Sequence, residues 1–399
     1  MEQGNRKLPL NGIRVMELGH TVMGPTCGLV LADMGAEVIK IERAPNGDDT
    51  RRLTGFGSGF FPYFNRNKKS LVIDLKSDKG KEILKKIVMT SDVFIENFAP
   101  GAVDRLGFSY DEVYKINPQI IYCSLKGFMK GPYENRPALD EVVQMMGGLA
   151  YMTGPPGRPL RAGTSITDIT GGIFGVIGIL TALYERQKTG KGQYLQAALF
   201  ESVAFLVGQH MAYCALSKKP TSPMPARVSA WAIYHLFESK DGEMIFVGVT
   251  SDILWKRFCD TFGLSSLYAD ERLSTNNKRV AETEWLIPQI RKIFKEMEKA
   301  EIIRLCEKAN IPFSPIARPD DLFDDLQLNQ GEGLVEATLP DGTKTKLPKI
   351  PLRIGSYDFG LRNDAPRIGE GTQEVLKSIG LPEEEIAELK KTGIVVSDF

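Results

Sequence analysis

Between Gly12 and Leu125 the chain alternates short β-branched runs with stretches of helical periodicity. Gly12–Leu18 reads as a strand, roughly Pro25–Met34 as a helix and Ala36–Glu42 as the next strand. Ser70–Leu75, Val93–Asn97 and Ile120–Leu125 read as further strands, with helices over Lys79–Thr90 and Tyr110–Asn117 between them. Parallel strands need a crossover, and an intervening helix supplies it. The alternation therefore predicts an α/β fold, a mostly parallel sheet in a Rossmann-like arrangement with helices on its faces. In such a sheet a ligand sits at the carboxyl ends of the strands, where the strand order reverses.

Downstream, Asp140–Met152 and the Gly-rich run Asp168–Arg186 read as helices. Gly171, Gly172, Gly175 and Gly178 recur three or four apart, which lets another backbone approach that helix. Its uncharged stretch, Ile169–Tyr184, is shorter than the roughly 20 residues a membrane span needs, so a buried helix is expected. From about Arg227 the texture changes: hairpin signals surround Lys240-Asp241-Gly242 and Asp341-Gly342, with amphipathic helices between them. The expected organisation is a large α/β domain over 1–200 and 330–399, a linker over 201–226 and a small α+β domain over 227–329.

Composition narrows the function. Fifty Lys and Arg balance fifty Asp and Glu, which argues against a nucleic-acid or anionic-membrane partner read by bulk charge. Three His and five dispersed Cys without metal spacing leave no expected metal site or disulfide framework. Buried reduced thiols and an N-terminus without an apolar signal core lead to an expected cytoplasmic location.

The first βα turn, Gly19 to Gly28, has the right context for a dinucleotide fingerprint but the wrong glycine spacing. Arg43, Lys76 and Arg105 follow predicted strand ends, and together could hold a phosphorylated ligand. Each alone reads as a solvated surface charge. Asp168 opens an apolar helix, where N–H groups and the helix dipole favour an ionised carboxylate suited to nucleophilic attack. An ordinary helix cap is the alternative and, on spacing alone, the stronger one.

Several ordered strings carry a family resemblance. They are L-N-G-I-R-V-M-E-L at 10–18, L-A-D-M-G-A-E-V-I-K-I-E-R at 31–43 and N-K-K-S-L-V-I-D-L-K at 67–76. E-N-F-A-P-G-A-V-D-R-L-G at 96–107, R-P-A-L-D at 136–140, the Asp168 segment with Y-E-R-Q-K-T-G-K-G-Q at 184–193, and R-I-G-E-G-T-Q-E-V-L at 367–376 continue the series. With these, the chain resembles the family III CoA transferases, the formyl-CoA and carnitine CoA-transferase group. Gly371 stands where that family usually has His.

The resemblance implies an interlocked-ring homodimer whose substrates are an acyl-CoA and a carboxylic acid, with coenzyme A as the carrier and no metal or redox cofactor. It implies that Asp168 is the nucleophile and that Arg43, Lys76, Asn97, Phe98 and Arg105 line the CoA site. Val22, Met23 and Asp140 are expected at the acid pocket. Members acting on formyl- and oxalyl-CoA carry Gln where Val22 stands and a glycine run absent from 227–250 here, so a larger acid is expected. A sister branch racemises 2-methylacyl-CoA with a His just before the aspartate of the R-P-A-L-D region; this chain has Leu139 there, which weakens that alternative. A non-catalytic CoA-binding paralogue is the third reading, and the intact D-I-T-G-G context argues against it.

Overall fold

The computed structural model describes residues 7–227 and 229–397. The chain forms two compact units, one reaching to Pro225 and resuming at Asn329, the other Ala226–Leu328. The first unit opens with β1 (Arg14–Leu18), α1 (Met23–Asp33), β2 (Glu37–Arg43), α2 (Phe60–Phe64), β3 (Lys68–Ile73) and α3 (Asp78–Met89). Then come β4 (Val93–Glu96), α4 (Ala102–Arg105), α5 (Tyr110–Ile116) and β5 (Ile121–Lys126). Five helices and a strand complete this stretch: α6 (Asp140–Met146), α7 (Leu149–Thr153), α8 (Ile166–Thr189), β6 (Gln193–Ala198), α9 (Leu199–Leu206) and, last, α10 (Gly208–Ser217).

The second unit holds β7 (Ile233–Glu238), β8 (Met244–Val249), α11 (Asp252–Thr261), α12 (Ser265–Ala269), α13 (Asn276–Ala281), α14 (Thr283–Lys295), α15 (Lys299–Ala309) and β9 (Phe313–Pro315). Through α16 (Leu326–Gln330) the chain reaches β10 (Leu334–Thr338), β11 (Lys344–Pro348), α17 (Thr372–Ser378), α18 (Glu383–Lys391) and β12 (Val395–Val396).

The main sheet has the order β12-β3-β2-β1-β4-β5-β6. Six strands are parallel, and β12 closes one edge antiparallel to β3. From β1 the chain builds outward through β2 and β3, then returns to β4 on the other side of β1. The order thus reverses between β1 and β4, and the sheet is mostly parallel, as the alternation predicts.

Both faces are covered, which is why the strands read as near-continuous apolar runs. Val15, Val38, Ile95 and Cys123 pack on one side with α1 and α8. Their neighbours Met16, Ile39, Phe94 and Tyr122 pack on the other with α3, α5, α17 and α18.

The glycines of α8 explain its closeness to α1. A Cβ at Gly172 would stand 2.7 Å from the Met23 carbonyl oxygen and 2.9 Å from Thr26 Cβ. At 24 residues α8 is longer than its sequence suggests, and it is the one described helix that alone is long and apolar enough to cross a membrane. Here Val176, Ile179, Ala182 and Leu183 bury one of its faces in the core.

Three strands escape the sequence pattern. β6 mixes Gln with Tyr and Ala, β12 has two residues, and β9 ends on Pro315 at an edge, where a missing N–H is tolerated. The 201–226 stretch read as a linker is largely helical in α9 and α10. The second unit packs a three-stranded antiparallel sheet, β7-β8-β9, with its helices around Trp255, Phe258, Phe294 and Ile302.

Candidate active site

At the carboxyl ends of β1 and β4 the two strand exits are tied together. Asn97, just past β4, accepts the His20 N–H on Oδ1 at 2.9 Å and donates from Nδ2 to the His20 carbonyl at 2.9 Å. The His20 ring stacks on Phe98, with centroids 5.8 Å apart. Desolvation holds the His20 imidazole below its ordinary value. Thr21 adopts φ +64°, a left-handed conformation that a β-branched residue adopts at a strain of order 1–3 kcal/mol. A Cβ at Gly24 would meet Asn97 Cγ at 3.0 Å, so this glycine leaves room for the clamping amide.

A buried ion network supports the same turn from beneath. Glu17 of β1, Lys40 of β2 and Lys68 of β3 are almost wholly out of solvent. Lys68 Nζ lies 2.7 Å from Glu17 Oε2, and Lys40 Nζ lies 3.4 Å from Glu17 Oε1 and 2.9 Å from Asp48 Oδ2. The two lysines also reach the turn itself: Lys40 donates to the Gly19 carbonyl at 2.7 Å and Lys68 to the Pro25 carbonyl at 2.9 Å. Burial lowers Lys68 to about 8, against the pull of Glu17. Burial also works against the Asp48 anion, but the Lys40 charge and the hydrogen bonds from Lys40 and Thr50 outweigh it and hold Asp48 at about 2. Gly28 belongs to this network, since a Cβ there would fall 1.8 Å from Glu17 Oε2. The turn's glycines thus serve close approach to Glu17 and Asn97 rather than a dinucleotide.

The second part of the site is the start of α8. Asp168 is partly buried in its first turn. Ser165 precedes the helix without a side-chain cap bond. Its place is taken by Asp140 of α6, whose Oδ1 accepts from Thr167 N at 2.8 Å, from Asp168 N at 3.2 Å and from Thr167 Oγ1. Gln144 Nε2 donates to Asp140 Oδ2, and its own Oε1 accepts from Ala162 N at 2.8 Å.

Burial pushes the Asp168 carboxyl up to about 7, and the Asp140 and Glu141 charges push the same way. This corrects the expectation that the helix start keeps Asp168 readily ionised: N–H groups that would hold its charge are taken by another carboxylate.

Asp140 itself is corrected as a pocket residue. It is 5% exposed and both its oxygens are spent on α8 and Gln144, so it offers no face to a substrate acid. Val22 and Met23 are 1% and 3% exposed. Val22 packs with Leu29 and Phe64, while the Met23 methyl fills the groove at Gly171, where a Cβ would stand 2.5 Å from it. Ile169, next to Asp168, packs against the Val22 cluster.

The cations lie where the strand ends place them. Arg43 closes β2 and pairs loosely with Asp49 at 3.3 Å, both largely exposed. Lys76, three residues past β3, and Arg105, at the end of α4, are exposed too. Sequence reasoning missed Glu17, Lys40, Lys68 and Gln144. The signal for the first two is a charge inside an otherwise apolar strand buried on both faces; Gln144 carries none.

The profile of CoA-transferase family III matches residues 10–372. A succinate–glutarate CoA-transferase of Agrobacterium fabrum is 34% identical over 94% of this chain and 96% of its own length. An acetyl-CoA:oxalate CoA-transferase of Acetobacter aceti is 35% identical over 94% of this chain and 97% of its own. Among solved structures, a CAIB/BAIF family protein from Brucella suis superposes with a TM-score of 0.82 at 31% identity, covering 94% of this chain and 100% of that one.

Proposed function

This chain belongs to CoA-transferase family III and is an enzyme of that kind, and on that premise we propose that it moves CoA between carboxylic acids through an aspartyl-CoA thioester on Asp168. The observation that carries the reading is the placement of Asp168: one partly buried carboxylate, pushed up to about 7, in the helix that packs on the first turn. A carboxylate of raised basicity is a better nucleophile, and near neutral pH enough of it is ionised to react.

The reaction follows by exchange of carboxylate and thiolate. The Asp168 oxygen attacks the acyl-CoA carbonyl, the C–S bond breaks, and a mixed anhydride and CoA thiolate form. Thiolate attack on the aspartyl carbonyl releases the first acid and leaves aspartyl-CoA. The acceptor carboxylate then attacks that thioester, giving a second anhydride and thiolate. Attack of the thiolate on the acceptor's acyl carbon yields the new acyl-CoA and frees Asp168. Electrons and charge balance at each step, with no net oxidation.

Arg43, Lys76 and Arg105 are proposed to hold the CoA phosphates, while Asn97 and Phe98 pack against the carrier. The acceptor is proposed to be a larger acid than formate or oxalate, with four- and five-carbon dicarboxylates first in line, as the name of the Agrobacterium relative suggests. The working unit is proposed to be a homodimer. Support comes from Ile173 and Ile177 of α8, Phe205 of α9, and Met211, Tyr213 and Leu216 of α10, all large apolar side chains left exposed.

The test is a panel of acyl-CoA donors against mono- and dicarboxylic acids, followed by mass spectrometry of the CoA esters. Exchange in the wild type and none in Asp168→Ala, with CoA binding retained, supports the reading; exchange in the variant rejects it.

A further inference from the structure

We propose that Asp140 is a positioning residue for this reaction: its carboxylate occupies the N–H groups at the start of α8, so that Asp168 faces a like charge instead of a vacant helix terminus. The proposal rests on Asp168 being the nucleophile.

The geometry is that of a built device. Ser165 stands beside the helix start, yet caps nothing. A carboxylate from a different helix does the capping, with Thr167 N, Thr167 Oγ1 and Asp168 N all converging on its Oδ1. Gln144, fully buried, fixes the other oxygen and is itself fixed by Ala162 N. A carboxylate with both oxygens hydrogen-bonded in this way is held in one orientation.

The groups around Asp168 are few. From α6 come Asp140 and Glu141, the latter paired with Arg161 at 3.0 Å. The first turn of α1 has no acidic or basic residue. Tyr63 of α2 packs in the cluster that Ile169 joins, Cys27 and Cys123 lie further along beneath Gly175, and Glu201 of α9 accepts from Met129 N at 3.2 Å. Of the two α6 carboxylates, Asp140 is the one that the Asp168 main chain itself touches, at 3.2 Å. It repels the Asp168 anion, and forming either the anhydride or the thioester removes that repulsion. The device raises the free enzyme's nucleophile in energy and leaves its acylated forms untouched.

The experiment is the pH dependence of kcat/KM for CoA exchange, with succinyl-CoA and glutarate or the fastest pair from the panel above. Wild type, Asp140→Asn, Gln144→Met and Asp168→Ala are compared. Asn keeps an oxygen acceptor for the helix amides but no charge. In that variant the acid limb is expected to move from about 7 to lower pH by about one unit or more, and the plateau to fall roughly tenfold. Gln144→Met keeps the charge and loosens its grip, so kcat falls while the limb and KM stay. An unmoved limb in Asp140→Asn overturns the proposal. Should that variant not fold, an unchanged kcat in Gln144→Met overturns it instead. Exchange retained in Asp168→Ala marks failure of the nucleophile assignment, a separate result.

Discussion

Asn97 holds the main chain of His20 from both sides, accepting its N–H and donating to its carbonyl, each at 2.9 Å. One side chain thus fixes the exit of β1 against the exit of β4, at the point where a parallel sheet offers its ligand crevice. Removing it in Asn97→Ala frees two hydrogen bonds worth about 1 kcal/mol each and lets Thr21 leave its left-handed conformation. Calorimetric titration with CoA should show at least about a tenfold weaker affinity, with kcat reduced less than KM is raised.

Asp168 couples function to stability. An aspartate whose folded value lies near 7, against 3.8 for the ordinary side chain, favours the folded state fully only below the lower value. That contribution is lost as pH rises from about 4 to about 7. Asp168→Asn carries no such charge, so it should be more stable than wild type above pH 7, by ~4 kcal/mol, and converge with it toward pH 4. Urea midpoints of both proteins between pH 5 and 8 check this; parallel curves would contradict it.

The Glu17–Lys40–Lys68 network makes the opposite kind of prediction. Lys68→Met strands one Glu17 oxygen with no solvent to turn to and should destabilise the fold by ~3–5 kcal/mol. Pairing it with Glu17→Gln should recover part of that loss, because the remaining amide needs no counter-charge. Thermal melts of the two single variants and the double give the coupling directly.

The exposed apolar side chains of α8, α9 and α10 predict self-association. Sedimentation equilibrium should give a dimer for the wild type. Leu216→Glu with Phe205→Glu, at positions 86% and 72% exposed in the single chain, should shift it toward monomer without unfolding either unit.

Much of this was written in the chain. The parallel sheet follows from β-branched runs separated by helices of crossover length, and the close approach to α8 from Gly171, Gly172 and Gly175. The strand ends that carry Arg43, Lys76, Asn97 and Phe98 were legible for the same reason. What escaped was long-range and polar. The capping of Thr167 by Asp140 spans 27 positions, and no local pattern distinguishes an Asp that caps its own helix from one that caps another. Val22 and Met23 were legible as first-turn residues, but their burial depends on Phe64 and Gly171, which only the fold brings to them. Strands β6 and β12 are specified mainly by their neighbours and left too little periodicity to read.

The most direct measurement is mass spectrometry of the enzyme quenched during turnover with succinyl-CoA, with and without hydroxylamine. The account predicts a covalent CoA adduct on the peptide carrying Asp168, conversion of that side chain to the hydroxamate by hydroxylamine, and neither species in Asp168→Ala. Transfer that proceeds with the Asp168 peptide unmodified, or an adduct on another residue, would contradict it.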